Sequence, residues 1–99
     1  SLTSAFCISD LVAAGALAAL ADHHISVPEQ FSVVGFDNSV APLLHPQLTT
    51  INHEFERMGS LAAQKIIETL DMSNTDPVNQ DICLSLSLIK RKSTGPCKQ

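Results

Sequence analysis

The sequence contains no tryptophan and no tyrosine, and aromatic residues make up only 4% of it. A recognition surface built on Tyr and Trp is therefore excluded. Basic residues are scarce. Six Lys and Arg stand against ten Asp and Glu, giving a net charge of -4 with His neutral. A chain of that balance does not grip nucleic acid through a basic surface of its own. Long apolar runs are absent too. The longest, Leu11 to Ala21, is eleven residues and is broken by Gly15, whereas a membrane-spanning helix needs about 20. No basic stretch followed by an apolar one opens the chain, so no signal peptide is expected. The first residue is Ser, and a processed or excised piece of a longer protein is expected. Cysteine is limited to Cys7, Cys83 and Cys97. An odd, widely spaced set suits neither a disulfide framework nor a zinc site. Reduced thiols in the cytoplasm are the expectation.

What is present is 99 residues with 44% apolar content. That length holds one domain or part of one. Ala5-Phe6-Cys7-Ile8 reads as a short strand buried on both faces, as in parallel sheets. Ser9 then suits a helix N-cap, and Asp10 suits the positive end of the helix dipole. Asp10 to about His23 is rich in Ala and Leu and predicts a helix. Leu11, Val12, Leu17 and Leu20 spread around it, so it needs cover on more than one side. Val27-Pro28 is expected to end that helix and turn the chain. Phe31 to Phe36 reads as a second strand, ended by turn chemistry at Asp37-Asn38-Ser39. A β–α–β unit is expected, with a right-handed crossover.

Val40 to Leu44 fits one helical turn, and Leu48 to Ile51 fits an extended segment. His53 to Leu70 predicts a helix whose apolar face carries Phe55, Met58, Ala62, Ile66 and Leu70. Asp71 to Gln80 reads as a loop. Ile82, Leu84, Leu86 and Leu88 alternate with polar or small residues, which predicts a half-buried strand. Lys90-Arg91-Lys92 reads as a solvated strand end.

In an open α/β sheet, ligands bind at the carboxyl ends of the strands. Ser9-Asp10 and Asp37-Asn38 occupy such positions. Their carboxylates can accept charge-assisted hydrogen bonds from ligand hydroxyls, each worth roughly 1.5–3 kcal/mol. The plainer reading makes Asp10 a helix-start residue and Asp37 a turn former. His53 and Phe55 are further candidates, Phe55 offering a flat apolar face to a sugar or base. Plainer roles for them are helix entry and core packing. No Gly-rich phosphate loop and no Gly-x-Ser-x-Gly motif is present. His23-His24 point about 100° apart on a helix, so no metal site is expected. No cofactor motif accompanies the two Asp and His53, and an enzyme is not expected.

Several stretches match a known pattern in order. These are Cys7-Ile-Ser-Asp-Leu-Val-Ala-Ala-Gly-Ala-Leu17 and Val27-Pro28-Glu29 followed by Ser32-Val-Val-Gly-Phe-Asp37. His45-Pro-Gln-Leu-Thr-Thr-Ile51, Met58-Gly59 and Leu88-Ile-Lys-Arg-Lys-Ser-Thr94 complete the match. The chain resembles the C-terminal part of lactose-repressor/galactose-repressor family transcription regulators, over almost its whole length. The resemblance implies part of a periplasmic-binding-protein-like, three-layer α/β fold with a parallel sheet, incomplete in this chain. Residues 1–48 and about 86–99 would belong to the C-terminal lobe. Residues about 49–85 would supply mainly N-terminal-lobe elements and crossovers. The family's helix-turn-helix has no counterpart in these residues, so operator DNA would be reached only through that other domain.

By the same resemblance, Asp37 matches an Asp that bonds effector hydroxyls or a base. Asp10 matches the Asp of an Asn-Asp turn, and Ser9 replaces its Asn. His53 stands where Gln is common, and Phe55 at an apolar position near the effector. The implied effector is a sugar or sugar phosphate, ahead of a purine or nucleoside. Leu17, Leu20, Val40, Leu43 and Leu44 are the expected homodimer surface. The rival classes are a sugar-binding protein of a transport system and an enzyme fragment.

Overall fold

A computed structural model describes residues 2–71 and 82–97. The expected loop at Asp71 to Gln80 therefore lies almost wholly outside the described residues. The chain divides into two compact units, Ser1–Asn52 with Ser87–Gln99, and His53–Leu86.

The first unit opens with β1, Ser4–Phe6, followed by α1, Asp10–Asp22. Ser9 caps α1 as expected. Its backbone is extended, and its Oγ accepts from the Val12 N–H at 3.2 Å. The helix ends earlier than Pro28. His24 takes a left-handed backbone, φ 57°. The His24 N–H then donates to the Ala21 carbonyl, and that of Ile25 to the Leu20 carbonyl. This is the Schellman pattern of helix termination, here without glycine.

Strand β2, Ser32–Val34, pairs with β1 in parallel, with Ala5 opposite Val33. The β–α–β expectation holds in its element order and strand direction. A 3-10 turn at Ala41–Leu43 follows. Strand β3, Thr50–Asn52, pairs antiparallel with β4, Ser87–Ile89, and Thr49 forms a parallel bridge to Val34.

Cys7, Ala13, Leu17, Val33, Ala41 and Leu48 form the core, with Ala16, Leu20, Val27, Phe31 and Leu44 packed against it. Leu17 is thus a core residue of its own unit. It is only 7% exposed, so the expectation that it forms a dimer surface is corrected. The expectation that the first strand is buried on both faces is corrected as well. Cys7 is buried, but Phe6 and Ile8 are exposed. Their side of the strand is uncovered by any described residue of this unit.

Polar pins fasten the core. Ser93 is fully buried and bridges two segments. Its Oγ donates to the Val33 carbonyl at 2.6 Å and accepts from the Thr49 N–H at 2.8 Å. Nothing in the local pattern near residue 93 announces this role.

The second unit contains α2, Phe55–Asp71. Its amphipathic spacing is real, but none of its residues is buried. Phe55, Met58, Ile66 and Leu70 all remain largely exposed. Ile82 to Leu86 carries no assigned strand, so only the end of the expected alternating strand forms, as β4. That end pairs because β3 lies beside it; residues 82–86 have no such neighbour among the described residues.

Candidate functional site

The candidate site of the first unit is built at the carboxyl ends of β1 and β2. The Asp10 N–H donates to the Phe36 carbonyl at 3.0 Å, which draws the two turns together. Gly35 lies between them. A Cβ on it would come within 2.5 Å of Asp10 Oδ1 and 2.6 Å of Leu48 Cδ2. Only a residue without a side chain lets β2 approach α1 this closely.

Asp10 is fully buried. Its Oδ1 accepts from the Thr50 hydroxyl at 2.7 Å, and its Oδ2 from the N–H groups of Val40 and Ala41 at 3.3 and 3.1 Å. Both oxygens are therefore engaged within the chain. Direct contact with a ligand, expected from the sequence, does not fit this burial. The geometry makes Asp10 the hub that joins the α1 N-terminus, the 3-10 turn and β3.

Asp37 is placed differently. It is half-buried and holds φ 93°, and Asn38 beside it holds φ 55°. Two successive non-glycine residues in this region cost of order 1–3 kcal/mol each. Several bonds hold them there. The Asp37 N–H donates to the Ile51 carbonyl at 2.8 Å, and Asp37 Oδ1 accepts from the Ser39 N–H at 3.1 Å. Asp37 Oδ2 has no hydrogen-bond partner among the described residues. Asn38 Nδ2 donates to Asn52 Oδ1 at 3.2 Å, and Asn38 Oδ1 accepts from the Arg91 guanidinium at 2.9 Å. Arg91 also donates to the Leu48 carbonyl at 2.9 Å. It is not the solvated strand end expected from its basic neighbours. Asn38 entered the sequence reading only as the partner of Asp37 in a turn, and Asn52 and Arg91 were absent from the candidates, because their association depends on pairing between distant segments.

Ser9 is half-buried at the same edge. Its oxygen serves the helix cap, and its hydroxyl proton remains available as a donor. Cys7 lies beneath, and burial pushes its thiol pKa up.

His53 and Phe55 belong to the second unit. Their rings stand 3.6 Å apart between centroids, tilted by 56°. His53, Met58, Leu61, Lys65, Ile82 and Leu84 are among the residues lining a cavity of about 300 Å³ within that unit. Of the expected dimer residues other than Leu17, Leu20, Val40 and Leu44 are half-buried, and Leu43 is 83% exposed. Among the described residues, no group of three or more His, Cys, Asp or Glu gathers, and no helix is long and apolar enough to cross a membrane.

The family match covers residues 3–94, under the description periplasmic binding protein-like domain. The chain belongs to that family. Among curated relatives, it is 40% identical over 89 residues to the HTH-type transcriptional regulator RegA of Clostridium saccharobutylicum, covering 89% of this chain and 26% of RegA. Among solved structures, it is similar to the transcriptional regulator CelR in complex with cellobiose. There the TM-score is 0.83 at 33% identity, covering 91% of this chain and 27% of CelR. A LacI family regulator from Enterococcus faecium, with bound ribose, has a TM-score of 0.87 at 28% identity. That match covers 97% of this chain and 36% of the other. The chain thus spans about a quarter of the first curated relative it matches. The expected periplasmic-binding-protein-like fold and the resemblance to lactose-repressor family regulators are both upheld. These relatives are regulators by name, which favours that class over a transport protein or an enzyme.

Proposed function

We propose that this chain is the effector-sensing and dimer-forming portion of a bacterial transcription regulator, with a carbohydrate as effector. The observation that carries the reading is Asp37. Its carboxylate stands at the carboxyl end of β2 in a left-handed turn, with Oδ1 engaged by Ser39 and Oδ2 without a partner among the described residues. A carboxylate so fixed is suited to accept a hydrogen bond from a ligand hydroxyl. Ser9 adds a hydroxyl donor at the same edge. Asp10 acts from below, positioning the turn. In the second unit, His53 and Phe55 are the proposed ligand groups. Cellobiose on CelR and ribose on the Enterococcus faecium regulator support a sugar as the ligand class.

In this reading, residues 1–48 and about 86–99 are C-terminal-lobe sequence; Thr49 to Asn52 pack in the same unit with them, so the crossover is moved to His53, and residues 53–85 supply N-terminal-lobe elements. Leu20, Val40, Leu43 and Leu44 form part of the contact with a second copy. Operator DNA is bound by another domain, the protein works in the cytoplasm, and it catalyses no reaction. Effector binding shifts the regulator between states only by its differential affinity for them.

The test is Asp37→Ala in the intact protein, with ribose and cellobiose as calorimetric probes. The expected loss is about 10–100-fold in affinity for whichever sugar binds. Unchanged affinity refutes the assignment of Asp37. Turnover of a glycoside that Asp37→Asn abolishes would favour an enzyme instead.

A further inference from the structure

The arginine at residue 91 sets the direction of a side-chain relay. A guanidinium only donates hydrogen bonds. Arg91 donates to Asn38 at 2.9 Å, so that amide must present its oxygen to Arg91. Its nitrogen is then turned to Asn52, which accepts at 3.2 Å through Oδ1. Asn52 in turn has its own NH2 directed away from Asn38. Asn52 ends β3, one residue past Ile51, whose carbonyl holds the Asp37 N–H at 2.8 Å. Asp37, just past β2, and Asn52, the last residue of β3, are therefore neighbours at one end of adjoining segments, and both residues are half-buried.

Resting on the reading of Asp37 as a ligand group, we infer that Asn52 Nδ2 is a second ligand group, and that Arg91, acting through Asn38, is the residue that positions it as a donor. That end then offers an acceptor at Asp37 and a donor at Asn52. Two hydroxyls of a neutral polyol satisfy that pair, one donating and one accepting. A phosphate in the same place meets the Asp37 charge and is disfavoured. The ligand class narrows to an uncharged sugar, with sugar phosphates rejected.

Two substitutions separate polarity from packing. Asn52→Asp still accepts from Asn38 but loses the outward donor. Asn38→Asp still accepts from Arg91 but obliges Asn52 to donate toward residue 38, turning its oxygen outward. The experiment uses the intact, nitrogen-15-labelled protein. Side-chain amide resonances of Asn52 are recorded for wild type, Asn38→Asp and Arg91→Met. Affinities for ribose, cellobiose and ribose 5-phosphate are measured alongside.

The expected result is a changed Asn52 amide signal in both variants, shifted downfield and slowed in exchange in Asn38→Asp. Affinity for the neutral sugar falls about tenfold in Asn38→Asp and in Asn52→Asp alike. An Asn52 signal unaltered in both variants overturns the relay. Wild-type affinity in Asn52→Asp overturns its role as a ligand group. Equal or tighter binding of ribose 5-phosphate, or no binding of either neutral sugar, overturns the ligand class. Wild-type affinity in Asp37→Ala removes the reading of Asp37, while the amide signals still decide the relay.

Discussion

Gly35→Ala is a small change with a large expected cost. Gly35 follows β2 directly, and an added Cβ would lie 2.5 Å from Asp10 Oδ1, 2.6 Å from Leu48 Cδ2 and 3.4 Å from Asp10 Cα. Comfortable carbon contacts are about 3.5–4.0 Å. Both neighbours are fully buried, so neither can swing into solvent. Overpacking of this kind costs roughly 1–3 kcal/mol. Displacing Asp10 Oδ1 also weakens its bond to Thr50, a charge-assisted contact worth roughly 1.5–3 kcal/mol. Together these give about 2.5–6 kcal/mol, much of the stability of a typical domain. At roughly 4–8 °C per kcal/mol, the melting temperature falls by at least about 10 °C. The assay is urea and thermal unfolding followed by circular dichroism, beside Gly15→Ala as control. At Gly15, inside α1, an added Cβ meets nothing within 4 Å. That variant gains roughly 0.5–1 kcal/mol from helix propensity. A Gly35→Ala protein within about 1 kcal/mol of wild type refutes the close-approach argument.

Asp10→Ala leaves the Thr50 hydroxyl and the N–H groups of Val40 and Ala41 without their acceptor. A loss of about 3–6 kcal/mol is expected in urea unfolding, and a loss under about 1 kcal/mol contradicts the hub role. Ser93→Ala removes the acceptor of the Thr49 N–H and the donor to Val33. Hydrogen exchange at the Thr49 amide accelerates, and an unchanged rate rejects the pin. Cys7, pushed up in pKa by burial, stays protonated in the folded state where the unfolded thiol ionises. Its stabilising contribution is whole below the ordinary thiol range, about 8.5, and is lost as pH rises toward the folded value. Alkylation at mildly alkaline pH reaches exposed Cys83 well before Cys7, and equal rates refute that protection.

The elements that depend on near neighbours were legible in the sequence. Ser9 and the Ala-rich run after it specify α1, because a cap and its helix lie within one turn. The β–α–β order follows from apolar runs and the turn residues between them. Asp37 stood out because a strand end and turn chemistry coincide there. What stayed hidden joins residues far apart in the chain. Asp10 looks like an ordinary first-turn acid until Thr50 is folded against it. Arg91 and Ser93 sit in a basic tail whose local pattern suggests solvent, yet they bond to Asn38, Leu48, Thr49 and Val33. The exposure of Phe6, Ile8 and the α2 face accords with the incomplete fold that the family resemblance implied, but no local pattern announces it. Apolar spacing shows which side wants cover, not whether these residues supply it.

The division of the first unit into Ser1–Asn52 and Ser87–Gln99 also has a consequence for synthesis. On the ribosome, β3 emerges before its partner. The 34 residues from His53 to Leu86 must be made before Ser87–Ile89 can pair with Thr50–Asn52. At roughly 5–20 residues per second that delay is about 2–7 seconds. During it, Val33 and Thr49 lack the Ser93 pin, and one edge of β3 is open to other strands. Completion of this unit is therefore set by translation rate, and codon choice across residues 53–86 becomes a lever on its yield.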